Sequence, residues 1–123
     1  MKVDRTFKLS EHFTLGEFVR PEVKEINDDA FRCLKHLAGR LEEARKLLGN
    51  KPIKINSGYR TKEHNAEVGG VRTSFHLRGM AADIEVDGIT PKQVQNKLKD
   101  WNGGMGCYTT FTHLDTRLYK ARW

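Results

Sequence analysis

The chain has 123 residues, with 22 Lys and Arg against 16 Asp and Glu, a formal charge of +6, 37% hydrophobic and 31% charged residues. That length suits one domain, residues 1–123, with a core of its own, and the composition is that of a soluble globular protein. Nothing approaches the ~20 consecutive apolar residues of a membrane span, which argues against membrane insertion, and the opening MKVDRTFKLS is not followed by the apolar run of a secretory signal.

The positive balance favours an anionic partner: nucleic acid, an acidic membrane surface or an anionic cell-wall polymer. The basic residues are scattered, and no basic helix or aromatic stacking platform supports nucleic acid. Cys33 and Cys107 make neither a CxxC pair nor a disulfide framework. Both are expected as buried small residues, so a metal would have to be held by His and carboxylate.

In chain order, Thr14 and Glu17 form a T-x-x-E capping box that starts a short helix, closed before Pro21. Asp28 or Asp29 caps a long helix whose apolar stripe is Phe31, Leu34, Leu37, Leu41, Ala44 and Leu48, and Gly49-Asn50 stops it. Ile53 to Ser57 alternates as a half-buried strand, and GYR turns the chain. Thr61 caps a short helix running through Val68, and Met80 to Val86 reads as a second strand. Thr90, Pro91 and Gln93 start a helix that runs to about Trp101. NGGMG reads as a turn, and GCYTTFTHLDTRLY as a hairpin or two short strands. The expected fold is α+β, with a small antiparallel sheet flanked by helices.

The segment SFHLRGMAAD places His76 and Asp83 seven positions apart. On a helix they would lie ~10 Å apart along the axis. On a strand they would be separated by ~23 Å and point to opposite faces. Only a chain that bends between them brings both to one ion, and Gly79 permits the bend. Of the other histidines, His36 reads as a solvated helix residue, His12 lies near a cap, and His64 follows GYR, where it could line a cleft. His113 is the better third ligand. On a strand it shares a face with Asp115, while Leu114 points away. Two His and one Asp leave a zinc ion an open fourth position, where the pKa of a bound water falls toward ~7. A plain hydrogen bond between His76 and Asp83, and an ion pair of Asp115 with Arg117, are the alternatives without a metal.

The run SGYRTKEHNAEVGGVRTSFHLRGMAADIEV, followed by a glycine-rich turn and YTTFTHLDTR, resembles the M15 zinc peptidases, the D-Ala-D-Ala carboxypeptidase and peptidoglycan-endopeptidase family. It is most similar to the short phage and prophage branch, the endolysin type, and FTLGEF also looks like that branch's N-terminal region. The resemblance implies a Hedgehog/DD-peptidase fold with Zn2+ held by His76, Asp83 and His113. It implies that Arg60 binds a substrate carboxylate or carbonyl, as a planar guanidinium fork can. It also implies that Ser74 helps hold substrate or a ligand. A surface ion pair with Glu63 is the alternative for Arg60, and a loop hydrogen bond to its own backbone the alternative for Ser74.

Many relatives carry an acidic residue three positions before the last zinc histidine, where this chain has Thr110. Asp115, the nearest acid on the same strand face, is expected as general base, as orienter of a ligand, or as a structural ion-pair partner. The activity so implied is zinc-dependent hydrolysis of peptidoglycan stem or cross-link peptides by a monomer. It would be made in the cytoplasm without a signal peptide and act on the wall after release. The alternative is a non-catalytic module on the same fold that binds peptidoglycan or a protein.

Overall fold

The structure, a computed structural model, describes all residues 1–123. Helix α1 (Leu15–Phe18) starts at the capping box read from the sequence, with the Thr14 amide donating to Glu17 Oε2 at 2.7 Å. Leu15 and Phe18 are buried, and Phe18 meets Phe13 edge to face at 5.9 Å. Helix α2 (Asp28–Leu47) is capped by Asn27, not by Asp28 or Asp29. Asn27 Oδ1 accepts from the Ala30 amide at 2.7 Å, and the two aspartates sit in the first turn, where the helix dipole favours negative charge. Its stripe of Leu34, Leu37, Ala38, Leu41 and Ala44 is fully buried. Gly49 and Asn50, both at positive φ, end it as expected.

Five strands follow: β1 (Ile53–Ser57), β2 (Ala81–Val86), β3 (Gly104–Cys107), β4 (Thr112–Asp115) and β5 (Ala121–Arg122). They form one sheet in the order β1-β2-β4-β3-β5. The first three pairings in that order are antiparallel, but β5 runs parallel to β3, so the sheet is mixed, not antiparallel throughout. Helix α3 (Lys62–Glu67) and a 3-10 turn at Phe75–Arg78 lie between β1 and β2, and helix α4 (Pro91–Lys97) lies between β2 and β3. Thr61 and Thr90 cap α3 and α4 as their spacing predicts. Both helices end short of their expected limits, at Glu67 and not Val68, and at Lys97 and not Trp101.

Strand alternation divides the sheet into two faces. Ala82, Ile84, Val86, Met105 and Leu114 join the leucines of α2 in one continuous core. Asp83, His113 and Gly106 point the other way and are paired across three neighbouring strands, Asp83 opposite His113 and His113 opposite Gly106. That second face is covered along most of β2, with Glu85 exposed.

The glycine-rich stretch read as a turn is strand β3. Its glycines answer to tertiary contacts. A Cβ at Gly104 would lie 2.3 Å from Asp115 Oδ2, and one at Gly106 would lie 2.5 Å from Trp123 Nε1. The cysteines depart from expectation too: Cys33, inside α2, is only partly buried, and Cys107, the last residue of β3, is exposed. No helix is long and apolar enough to cross a membrane.

Candidate metal centre

Three segments converge on one point. Asp83 is fixed by strand β2 and His113 by its register partner on β4. His76 comes from the 3-10 turn, which Ser74 caps and which ends at Gly79 with φ of 73°. That left-handed residue supplies the bend the His76–Asp83 pair requires, and its missing Cβ lets the turn sit against α2, where a side chain would come within 2.7 Å of the Ala30 carbonyl.

His76, Asp83 and His113 are all buried, and one ligand atom from each lies within 4.8 Å of the others. His76 Nε2 is 3.3 Å from Asp83 Oδ1, and His113 Nδ1 is 3.0 Å from the same oxygen. Metal bonds of 2.0–2.1 Å in a tetrahedron put neighbouring ligands ~3.3 Å apart. The spacing therefore suits a small tetrahedral cation bound through nitrogen and oxygen.

The outer ring nitrogens decide which lone pairs face inward. His76 Nδ1 lies 2.7 Å from the Gly58 carbonyl, which can only accept, so Nδ1 carries the hydrogen and Nε2 is free. His113 Nε2 lies 2.9 Å from Asp115 Oδ2 and donates to it, leaving Nδ1 free. Both imidazoles thus aim a lone pair at a carboxylate, an arrangement that calls for a proton on each or a shared cation. The charge pattern follows from it. Burial alone would raise the Asp83 carboxyl, but hydrogen bonds from His113 and His76 hold it well below the usual carboxylate range. Burial alone would lower His113, but its bonds to Asp115 and Asp83 raise it above the ordinary imidazole value.

Asp115 is completely buried. Its Oδ1 accepts from the amides of Gly104 and Arg117 and from Arg117 Nε, at 2.9, 3.2 and 2.8 Å. Its Oδ2 accepts from Arg117 Nη2 at 2.7 Å as well as from His113. Every lone pair is taken and none faces the cleft. The ion pair with Arg117 raised from the sequence is present, and it coexists with the contact to His113. This environment suits the orienting role and leaves no oxygen free to take a proton from water, so the general-base expectation does not fit the geometry.

Arg60 lies between β1 and α3 and pairs with Asp83, not with Glu63: its Nη2 is 3.2 Å from Asp83 Oδ2. Nε donates to Ser57 Oγ and Nη1 to Asn65 Oδ1. Three of the five guanidinium hydrogens are used, and two remain for a ligand. Ser74 Oγ accepts from the His76 amide at 3.2 Å, which is the local loop bond, and its hydroxyl hydrogen stays available. Thr110 is exposed on the loop between β3 and β4.

A cleft of about 510 Å³ opens over the three ligands. Arg60, Gly70 and Ser74 form one side; Tyr108, Phe111, Arg117 and Trp123 form the other. Asp83 is the only carboxylate residue lining it. Sequence reasoning gave no role to Asn65 or Trp123. Asn65, buried, ties Arg60 to the Val71 carbonyl and fills the space where a Cβ on Gly70 would lie, 2.1 Å away. Trp123 packs on His113 with ring centroids 5.1 Å apart and donates to Tyr108 Oη. A polar residue inside a short capped helix was the available signal for Asn65; for Trp123 there was none. His12 binds Glu42, His36 is exposed on α2, and His64 lies beside Arg20, so none of the three enters the metal centre.

The sequence model of the family described as Peptidase M15 matches residues 11–115. The peptidoglycan L,D-endopeptidase MepK of Escherichia coli (strain K12) is 32% identical over 104 residues, covering 77% of this chain and 53% of that protein. The probable peptidoglycan L,D-endopeptidase MepK of Haemophilus influenzae is 34% identical over 77 residues, 56% of this chain and 41% of that one. The zinc D-Ala-D-Ala carboxypeptidase of Streptomyces albus G is 42% identical over 45 residues, 37% of this chain and 18% of that one. The chain spans about half the length, or less, of these curated relatives.

Proposed function

The chain belongs to the Peptidase M15 family, and we propose from that premise that it is a zinc-dependent peptidase acting on peptidoglycan stem or cross-link peptides. The observation that carries the reading is the convergence of His76, Asp83 and His113 on one point, with both imidazole lone pairs turned inward. We read the fold as the Hedgehog/DD-peptidase type and residues 1–123 as one peptidase domain, monomeric in action. Action on the cell wall, as an endolysin acts, belongs to the same reading.

When bound, zinc supplies Lewis acidity that polarises a scissile carbonyl and acidifies water. The chain's own residues do the rest. Gly58 and Asp115 hold His76 and His113 in the tautomers that present a lone pair. Arg60 fixes Asp83 through Oδ2 and turns its two remaining hydrogens toward a substrate carboxylate or carbonyl. Ser74 offers its hydroxyl from the cleft wall. Arg117 anchors Asp115 by a forked pair and is flanked by Phe75, Tyr119 and Trp123, which keeps that carboxylate from turning.

Purified protein loaded with zinc is expected to release peptide fragments from peptidoglycan, and a chelator to abolish the release. Absence of turnover across several wall types with metal bound would refute the enzymatic reading. One observation favours a second reading, a module that binds wall peptide without cutting it: Asp83, already a ligand, is the sole carboxylate in the cleft. That reading expects binding of peptidoglycan without cleavage, unchanged in Asp115→Asn.

A further inference from the structure

A second cavity, of about 420 Å³, adjoins the metal cleft, and Arg60 lines both. It lies between the end of α1 with the segment that follows it to Pro21 and the turn from Asn56 to Arg60. Its charged lining is Arg5, Arg20, Arg60 and one acid, Glu17, with the His64 imidazole beside them. Glu17 turns its Oε2 to the neutral Thr14 amide and hydroxyl and keeps its charge, so three arginines face one carboxylate. Arg60 is paired with Asp83, and Arg20 meets Glu22 at the rim, where its side chain is 51% exposed.

Arg5 differs from these. Its guanidinium donates to the carbonyls of Val19 and Gly16 and takes part in none of the molecule's ion pairs. The backbone packs tightly at this point: a Cβ on Gly16 would lie 2.8 Å from the Arg5 carbonyl oxygen. The result is a cation held in place by neutral oxygens, with no counter-charge, at the edge of a cavity. Arg20 Nη1 lies 3.0 Å from His64 Nε2 and adds a second positive group with remaining donors. A cavity so lined favours an anion, and guanidinium forks favour a carboxylate.

We propose that this second cavity is a carboxylate subsite, in which Arg5 and Arg20, with His64 beside them, hold an acidic group of a peptide that also crosses the metal cleft. The shared wall at Arg60 makes the two cavities neighbours, so one extended chain passing Arg60 reaches both. The source of the carboxylate rests on the peptidase reading; the charge of the cavity does not. The subsite sets specificity: peptides that carry a carboxylate away from the cleaved bond are retained, and neutral ones are not.

The test is an NMR titration of the zinc-loaded full chain with three synthetic pentapeptides ending in D-Ala-D-Ala. One carries a glutamate side chain, one has glutamine in its place, and one keeps the glutamate but is amidated at its C-terminus. Loss of the relevant carboxylate is expected to weaken binding about tenfold. Arg20→Ala is expected to weaken the acidic peptide by a similar factor and to erase that difference. Amide shifts should fall on residues 16–21 and 56–60 as well as on the cleft. The neutralised peptide whose loss is erased by Arg20→Ala identifies the occupant as side chain or terminus; a terminal loss that persists in Arg20→Ala belongs to Arg60 in the metal cleft. Lys46→Ala, which removes the same charge from the end of α2, is expected to leave binding unchanged.

Equal binding of all three peptides, no binding of any, or an equal loss in Lys46→Ala overturns the subsite. Charge-dependent binding by a zinc-loaded chain that also leaves peptidoglycan of several wall types uncut overturns the peptidase reading and leaves the subsite standing. Hydrolysis without charge dependence does the reverse.

Discussion

Asp115 shows how much one side chain can settle for another. It touches no part of the cleft, yet its Oδ2 fixes the tautomer of His113, and Arg117 and the Gly104 amide hold it in turn. Asp115→Asn keeps the shape but removes a buried charge that Arg117 and His113 both require. Zinc affinity is expected to fall about 10–100-fold, read by competition with a chromophoric chelator. An unchanged affinity would assign Asp115 to structure alone. Arg60 couples two tasks through one planar group. Arg60→Lys retains the charge but cannot reach Ser57, Asn65, Asp83 and a ligand together. The kcat/KM is expected to drop at least about tenfold, with KM rising. The residues of the candidate site were legible because several motifs stand in the family's order, although the His76–Asp83 spacing alone also suited a plain hydrogen bond. Their outer partners were not: the Gly58 carbonyl and Asn65 are brought there by the fold.

At the scale of elements, short segments obey local rules and are tied down by single polar contacts. The segment before α1 is fastened to α2 by Glu42, which accepts from Ser10 Oγ and the His12 amide, both at 2.6 Å, and lies 2.7 Å from His12 Nδ1. Burial alone would raise the Glu42 carboxyl, but bonds from Ser10 and His12 carry it below its ordinary value. A carboxyl lowered by folding adds stability above its unfolded pKa and loses it as pH falls through the folded one. Wild-type protein is therefore expected to lose urea resistance on acidification from the ordinary glutamate range downward. Glu42→Gln should start less stable at neutral pH and lose less over that window. Parallel pH profiles for the two proteins would contradict the assignment. The capping boxes at Thr14 and Thr90 were readable because their partners lie three residues away. Strand β3 was not, because glycines that suggest a turn locally are required there by Asp115 and Trp123 from across the sheet.

Across the whole molecule, the sheet keeps apolar chemistry on one face, in the core, and polar chemistry on the other, beneath the cleft. The core face joins α2. The opposite face carries Asp83 and His113, with Arg60 and Arg117 offsetting Asp83 and Asp115. Two fixed positive and two fixed negative charges leave the centre close to neutral, so a bound dication would make it strongly positive. Zinc that binds the folded chain alone must stabilise it, by about 4 kcal/mol at a thousandfold excess over Kd. The melting temperature is expected to rise with added zinc and to fall with chelator, and His76→Ala should abolish the dependence. A melting temperature indifferent to zinc would count against three-ligand binding.

By itself the sequence determined the caps of α1, α3 and α4, the apolar stripe of α2, and strands β1 and β2, and its resemblance to the family singled out His76, Asp83 and His113 as candidate ligands. The caps, the stripe and the strands depend on residues near in the chain, and the candidate ligands on several motifs standing in the family's order. The tertiary structure alone decided which imidazole nitrogen faces inward, that Asp115 is buried against His113 and Arg117 and turned from the cleft, that β5 runs parallel to β3, and that Arg60 stands between two cavities. Those outcomes turn on hydrogen-bond partners and steric neighbours many positions away, and local propensity carries no information about contacts that exist only once the sheet has closed over them.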